Sequence, residues 1–237
     1  MAKDGASLID VGGESTRPGS PAVTLQEELD RVLPVIEAVQ REVPLPLSID
    51  TSKSAVAAAA ISAGVEFVND ISGLTFDPQM AEVVAGSGAG LFVMHTRDKP
   101  DVMQSNTNYD DVVAEVVCSL RGSIDRAEEA GIDSEKIAVD PGIGFGKDVR
   151  GNLELLRRTA DLTSLGRPIM LGTSRKSFIG RVLSQHDPCD RLAGTLATLA
   201  LGYAGGARLF RVHDVAAAQH AVLMAQAICC GAEWSTD

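Results

Sequence analysis

The sequence predicts an α/β fold: a TIM-type (β/α)8 barrel in one domain spanning residues 1–237, N-terminally truncated, with about seven β/α units present. Three observations carry this. Short apolar runs alternate strictly with longer helical stretches, which implies parallel strands joined by right-handed crossovers. No linker, charge tail or low-complexity stretch interrupts that alternation. Polar residues collect at the C-terminal end of almost every strand. A barrel gathers those ends around one mouth, whereas an open doubly wound sheet concentrates its chemistry at a switch point.

The first unit is the strand "SLIDVGG" (7–13), followed by a helix from "TLQEELDRVLPVIEAVQ". Thr24 and Glu27 are spaced as a capping box, and Leu25, Leu29, Val32, Ile36 and Val39 recur at helical spacing. Pro34 predicts a kink. The strand "LPLSID" leads into the alanine-rich helix "KSAVAAAAISAG". "EFVND" leads into a helix with Asp77 as N-cap and Pro78 at its first position. "GLFVMH" precedes a helix that runs from about Tyr109 to a C-cap near Gly131. "KIAVDPG", "RPIMLGTS" and "ARLFRVHD" complete the strands, with helices after each. A full barrel has eight strands and typically ~250 residues. Only Met1 to Ala6 precede "SLIDVGG", so the unit expected to be absent is N-terminal.

Composition narrows the function. A chain of 237 residues that is 45% hydrophobic has ample core. A net charge of -11 argues against a general nucleic-acid or anionic-membrane surface. Cys118, Cys189, Cys229 and Cys230 show neither CxxC spacing nor a framework of pairs, which points to a reducing, cytoplasmic setting. No apolar run reaches the ~18 residues of a spanning helix. Metal-ligand spacings such as HExxH are absent, so no metal-holding residue is identified.

The string "DPGIGFGK" (140–147) looks like a phosphate loop but fails the pattern: Pro141 and Asp148 stand where glycine and Ser or Thr are required. Asp140 ends a strand instead. A carboxylate there accepts two parallel hydrogen bonds from a planar N–H fork, either a guanidinium or a 2-aminopyrimidinone ring. Asp50 and Asn69 end neighbouring strands, so the three together read the edge of a flat, amino-bearing heterocycle. The plainer alternative is that Asp50 and Asp140 only cap the turns behind them. Lys176 follows the sixth visible strand, and Arg211 and His213 alternate on the last, facing one way. Loops after the last two strands of a barrel are its usual phosphate site, so these groups suit a diphosphate. A structural ion pair is the alternative for Arg211, and a satisfied, half-buried histidine the reading for His95. "GGESTRPGS" (12–20) offers Thr16 and Arg17 on a glycine-rich loop able to close over a ligand.

Six strings in order, "DVGGESTRPG", "SIDTSK", "FVNDISG", "DPGIGFGK", "GTSRKSFIG" and "RVHDV", resemble the dihydropteroate synthase family of pterin-binding barrels, the target of sulfonamides. The resemblance implies a transferase of folate biosynthesis that joins 6-hydroxymethyl-7,8-dihydropterin diphosphate to 4-aminobenzoate, with Mg2+ carried on the diphosphate. It implies that Asp50, Asn69, Ile71, Met94, Asp140, Phe145, Gly172, Ser174 and Lys176 form the pterin pocket. Thr16, Arg211 and His213 would hold the diphosphate, and Thr16, Arg17, Pro18, Phe145, Lys176 and Ser177 the aminobenzoate. Asp50, Lys176, Arg211 and His213 would carry the chemistry. A homodimer through the last helices is also implied. The family's opening strand and its "NVTPDSFSDG" loop have no counterpart here, so impaired turnover is expected. Two other readings stay open: a corrinoid-linked methyltetrahydrofolate methyltransferase-like barrel and a non-catalytic pterin-binding remnant.

Overall fold

The computed structural model describes residues 1–17 and 19–231. Seven strands, β1 (Ile9–Gly12), β2 (Leu47–Asp50), β3 (Phe67–Asp70), β4 (Gly90–Met94), β5 (Ile137–Asp140), β6 (Ile169–Leu171) and β7 (Ala207–Phe210), form one sheet in chain order. Every neighbouring pair is parallel. The helices are α1 (Leu25–Glu42), α2 (Ser54–Ser62), α3 (Met80–Ser87), α4 (Val112–Glu129), α5 (Val149–Arg157), α6 (Ser177–Leu183), α7 (Leu192–Ala204) and α8 (Val215–Cys230).

The sheet is curled. Laid flat at ~4.8 Å between neighbours, its outer strands would stand roughly 29 Å apart. Yet Arg211, just beyond β7, donates from Nε to Asp10 of β1 at 2.5 Å. Gly5 likewise lies against Gln219 of α8. Strands β1 and β7 face each other across this seam without backbone pairing among the described residues. The architecture is that of a (β/α) barrel wall.

Side chains alternate between the two faces of each strand. The outward set packs beneath the helices in one core that includes Ile49, Val68, Leu91, Val93, Ile137, Val139, Ile169 and Leu171. The inward set forms two layers. The lower is apolar: Phe92, Ala138 and Met170, with Leu8, Phe67 and Leu209 against them. Phe67 and Phe92 stack at 5.5 Å, and Gly90 makes room, since a methyl group there would lie 2.4 Å from the Phe67 ring. The next inward position on β1 to β5 supplies the upper layer, Asp10, Asp50, Asn69, Met94 and Asp140, and Gly172 and Arg211, the residues just past the ends of β6 and β7, complete it.

Local signals explain most boundaries. Thr24 accepts the Glu27 N–H at the start of α1, which runs unbroken past Pro34. Asp111 caps α4 through the Val113 and Ala114 N–H groups. Asp148 caps α5 by accepting from Gly151 at 2.7 Å. One expectation is corrected: Asp77 and Pro78 do not open a helix, and α3 begins at Met80. Asp77 instead divides its oxygens between the Gln79 N–H and, at 2.8 Å, the Ser54 N–H at the start of α2. A side chain that links two elements leaves the local helix without its cap.

Candidate active site

The upper layer is where charge concentrates. Asp50 is 6% exposed; one oxygen accepts from Arg211 Nη2 at 2.7 Å and the other, Oδ1, has no partner among the described residues. Burial pushes its pKa up to about 7, with Arg211 opposing and the charge of Asp10 adding to the rise. Asp140 does cap its own turn, accepting the Gly142 N–H at 2.7 Å through Oδ1. Burial also raises Asp140, against the pull of Lys176. The Lys176 amine donates to the Ile143 carbonyl and lies 4.6 Å from the centre of the Phe145 ring. Burial brings it down to about 8, although Asp140 favours its charge.

Gly172 marks where these groups meet. A methyl group there would lie 3.7 Å from Asp140 Oδ2, 3.9 Å from Arg211 Cβ and 4.0 Å from Lys176 Nζ. Only a residue without a side chain leaves that space to a ligand. Ile71, Met94 and Phe145 pack together with Met103 as an apolar wall beside it. Asn69 is buried, and its amide nitrogen donates to Asp10 at 3.4 Å. Thus the acids, the amide, the lysine and the arginine singled out in the sequence do converge.

Arg211 and His213 do not act as a facing pair on a strand, because β7 ends at Phe210. Arg211 turns to Asp10 and Asp50. The structural ion pair considered for it is therefore formed; burial works against its charge, but Asp50 and Asp10 raise its pKa above the ordinary value. His213 sits apart, its Nδ1 2.9 Å from Ser174 Oγ, and burial with the nearby charge of Arg175 lowers its pKa. Once the chain leaves the strand, two-residue alternation no longer governs direction.

The mouth opens into two cavities. Thr16, Asp50, Lys53 and Ile71 border one of about 400 Å³. Gly144, Lys147, Ser177, Phe178 and Arg181 border another of about 440 Å³. The six residues implied for aminobenzoate are therefore split. Phe145 and Lys176 touch, while Thr16 and Ser177 open onto different cavities. Arg17 is exposed, and Pro18 lies outside the described residues. The loop after β1 is tied at its root: Lys53 bridges Glu14 and the fully buried Glu28, and Glu14 accepts the Val23 N–H at 3.0 Å. Beyond the root, Gly19 donates to the Pro100 carbonyl at 3.1 Å.

The "DPGIGFGK" loop folds around its own lysine. Lys147 is 3% exposed, and its amine donates to the Gly142 carbonyl at 2.9 Å and the Phe145 carbonyl at 2.8 Å. The amine also pairs with His95 Nδ1 at 2.9 Å. His95 is buried, and that burial, helped by Lys147, lowers its pKa to about 2 and holds it neutral. Gly142 has φ +69°, and a methyl group on it would lie 2.0 Å from the His95 carbonyl oxygen. Asn152 Oδ1 accepts the Gly144 N–H at 2.6 Å. The loop is thus a rigid bracket for Asp140 and Phe145, with its cation turned inward.

Sequence reasoning missed Asp10, Lys147 and Asn152. For Asp10 a signal existed: within "LIDVG" it shares strand parity with Leu8 and Gly12, the inward face. Among the described residues no group of three His, Cys, Asp or Glu side chains is placed to hold a metal ion.

A family profile described as pterin binding enzyme matches residues 1–213. Over 228 residues the chain is 45% identical to the dihydropteroate synthase of Synechocystis, covering 96% of this chain and 79% of that protein. Among solved structures, a Clostridium difficile dihydropteroate synthase crystallised with pteroic acid superposes with a TM-score of 0.91 at 46% identity, over 96% of this chain and 84% of the other. A Yersinia pestis dihydropteroate synthase in complex with a sulfonamide gives 0.93 at 39% identity, over 97% and 83%.

Proposed function

Since the chain belongs to the pterin-binding enzymes and, within them, to the dihydropteroate synthases, we propose that its upper barrel layer binds the pterin and directs the transfer to 4-aminobenzoate. The observation that carries this is the meeting of Asp140, Lys176 and Arg211 around the open face of Gly172. Asp140 Oδ2 accepts from the amino-bearing edge of the pyrimidine ring, and the Lys176 amine donates to a ring acceptor. Asn69 completes the polar edge, and Ile71, Met94 and Phe145 cover a flat face of the ring.

The carbon–oxygen bond to the diphosphate breaks with its electron pair leaving on oxygen. An electron-poor methylene remains, delocalised into the pterin. The ionised Asp50 lowers the energy of that cation. The amine of 4-aminobenzoate then attacks, a carbon–nitrogen bond forms, and the amine releases a proton. Arg211 supports departure by taking up diphosphate charge, with His213 and Thr16 as further donors. Arg17, Pro18 and Ser177 flank the incoming acid, and Ser174 sets the position of His213. Mg2+ enters this scheme as part of the diphosphate substrate.

Assembly and location are part of the same reading. Leu201, Leu223, Met224 and Ile228 are exposed on α7 and α8, which supports a homodimer through those helices. Four free, exposed cysteines support a reducing cytoplasm, and no described helix is long and apolar enough to cross a membrane. The decisive assay supplies the dihydropterin diphosphate and 4-aminobenzoate with Mg2+ and measures dihydropteroate and diphosphate together. Equal release of both, abolished by Asp140→Asn, is expected. No dihydropteroate under conditions where an authentic synthase forms it overturns the assignment of activity to this chain.

A further inference from the structure

We propose that Asp10 is a positioning residue of the pterin site, fixing both the guanidinium of Arg211 and the amide of Asn69 in the orientations they present to the substrate. Its two oxygens divide the work. Oδ1 accepts from Ser48 Oγ at 2.5 Å, on the residue directly opposite in the β1–β2 register. Oδ2 accepts from Arg211 Nε at 2.5 Å and from the Asn69 amide nitrogen at 3.4 Å. Asp10 thus ties together β1, β2, β3 and the end of β7, at the level where the inward face changes from apolar to polar.

Two consequences follow for the substrate. Arg211 is gripped on its Nε edge by Asp10 and on Nη2 by Asp50, while Nη1 has no protein partner among the described residues. When a diphosphate draws the outer nitrogens away, Asp10 still anchors the inner edge. Asp50 is then released to face the developing cation. A single carboxylate could not serve both the guanidinium and the cation, since one ion pair would be made at the expense of the other. For Asn69, donation to Asp10 sends the amide nitrogen toward β1 and turns the carbonyl oxygen into the pocket. There it accepts an N–H from the ring. An acceptor beside the Asp50 carboxylate, its partner in the β2–β3 register, discriminates for heterocycles that present donors along that edge.

This rests on the pterin reading of the site, and the test separates the two. Binding of the dihydropterin diphosphate is measured by calorimetry for the native chain, Asp10→Asn, Arg211→Lys and the double variant. Initial rates are measured for the same four where turnover occurs. Asp10→Asn is expected to weaken pterin diphosphate binding about tenfold or more, as for loss of a charge-assisted hydrogen bond. The KM for 4-aminobenzoate should stay within about twofold, since Asp10 touches no group on that side. In the Arg211→Lys background, where Nε is gone, the same change should cost about threefold or less. Ser48→Ala, a milder change that keeps both carboxylates, should lower pterin affinity about threefold. Equal effects of Asp10→Asn in both backgrounds overturn the proposal. So does a rise in both KM values that tracks a falling melting temperature. If the native chain binds pterin and shows the coupling but forms no dihydropteroate, the catalytic reading fails and the Asp10 proposal stands. If it binds no pterin, both fail.

Discussion

Replacing Lys147 by methionine tests whether the glycine-rich loop is held by its own lysine. Methionine keeps the length and most of the volume of the stem, so little packing changes. It removes the donors to the Gly142 and Phe145 carbonyls, which lie at 2.9 and 2.8 Å from the amine, and the contact with His95. A stranded buried acceptor costs about 1–3 kcal/mol, so two carbonyls alone amount to about 2–6 kcal/mol. Part is offset, because burial pushes the Lys147 pKa well below the ordinary lysine range and its removal relieves that strain on the interior. A net loss of about 3 kcal/mol follows. In a chain of this size that lowers the thermal midpoint by roughly 6–12 °C. Lys147→Gln, which restores N–H donors without a charge, should recover about half. Because the loop brackets Asp140 and Phe145, pterin affinity should fall in Lys147→Met even well below its melting temperature. Scanning calorimetry and pterin titration read both effects. A midpoint within about 2 °C of the native chain, or a glutamine variant as weak as the methionine one, would refute the bracket.

Other expectations are as concrete. Asp50 holds its proton up to about 7 in the folded chain against 3.8 otherwise. The folded state therefore binds more protons than the unfolded one across that window, and ligand-free stability should fall as pH climbs through it. Asp50→Asn should show a shallower slope in melts between pH 4 and 8, the remainder coming from the other buried acids Asp70 and Asp140, whose pKa values burial also raises. Gly142→Ala faces a contact of 2.0 Å and should lose ~4 kcal/mol or fail to fold, as judged by soluble yield. Gly166→Ala has a similar φ of +65° but nothing within 4 Å, so it isolates the conformational cost at ~1–2 kcal/mol. Lys53→Met leaves the fully buried Glu28 without its cation and should cost about 3–5 kcal/mol in urea melts, mostly recovered by adding Glu28→Leu.

The fold was legible because strict alternation of short apolar runs and helices allows few arrangements. Asp50, Asn69, Asp140, Lys176 and Arg211 were legible because each lies at or near the C-terminal end of a strand or in the turn that follows it. Asp10 was harder. It lies inside a strand, and its partners Ser48, Asn69 and Arg211 come from three other segments, which meet only once the sheet curls. Lys147 was missed because the loop fails the phosphate pattern and nothing in its sequence shows that the carbonyls of its own turn gather around the amine. The start of α3 was misplaced because the Asp77 carboxylate answers to Ser54, a residue 23 positions away.

The two sides of the mouth differ in how freely evolution can edit them. Asp50, Asn69 and Asp140 are each at most 6% exposed, so replacing any of them disturbs the folded interior as well as recognition. The side assigned to aminobenzoate instead includes the exposed Arg17 and Ser177, on the surface of a loop and at the start of a helix. Variants selected to exclude an aminobenzoate mimic should therefore accumulate at positions such as these, where a changed outline does not endanger the chain's ability to fold. Inhibitors shaped to the pterin side would confront a lineage with far fewer viable exits.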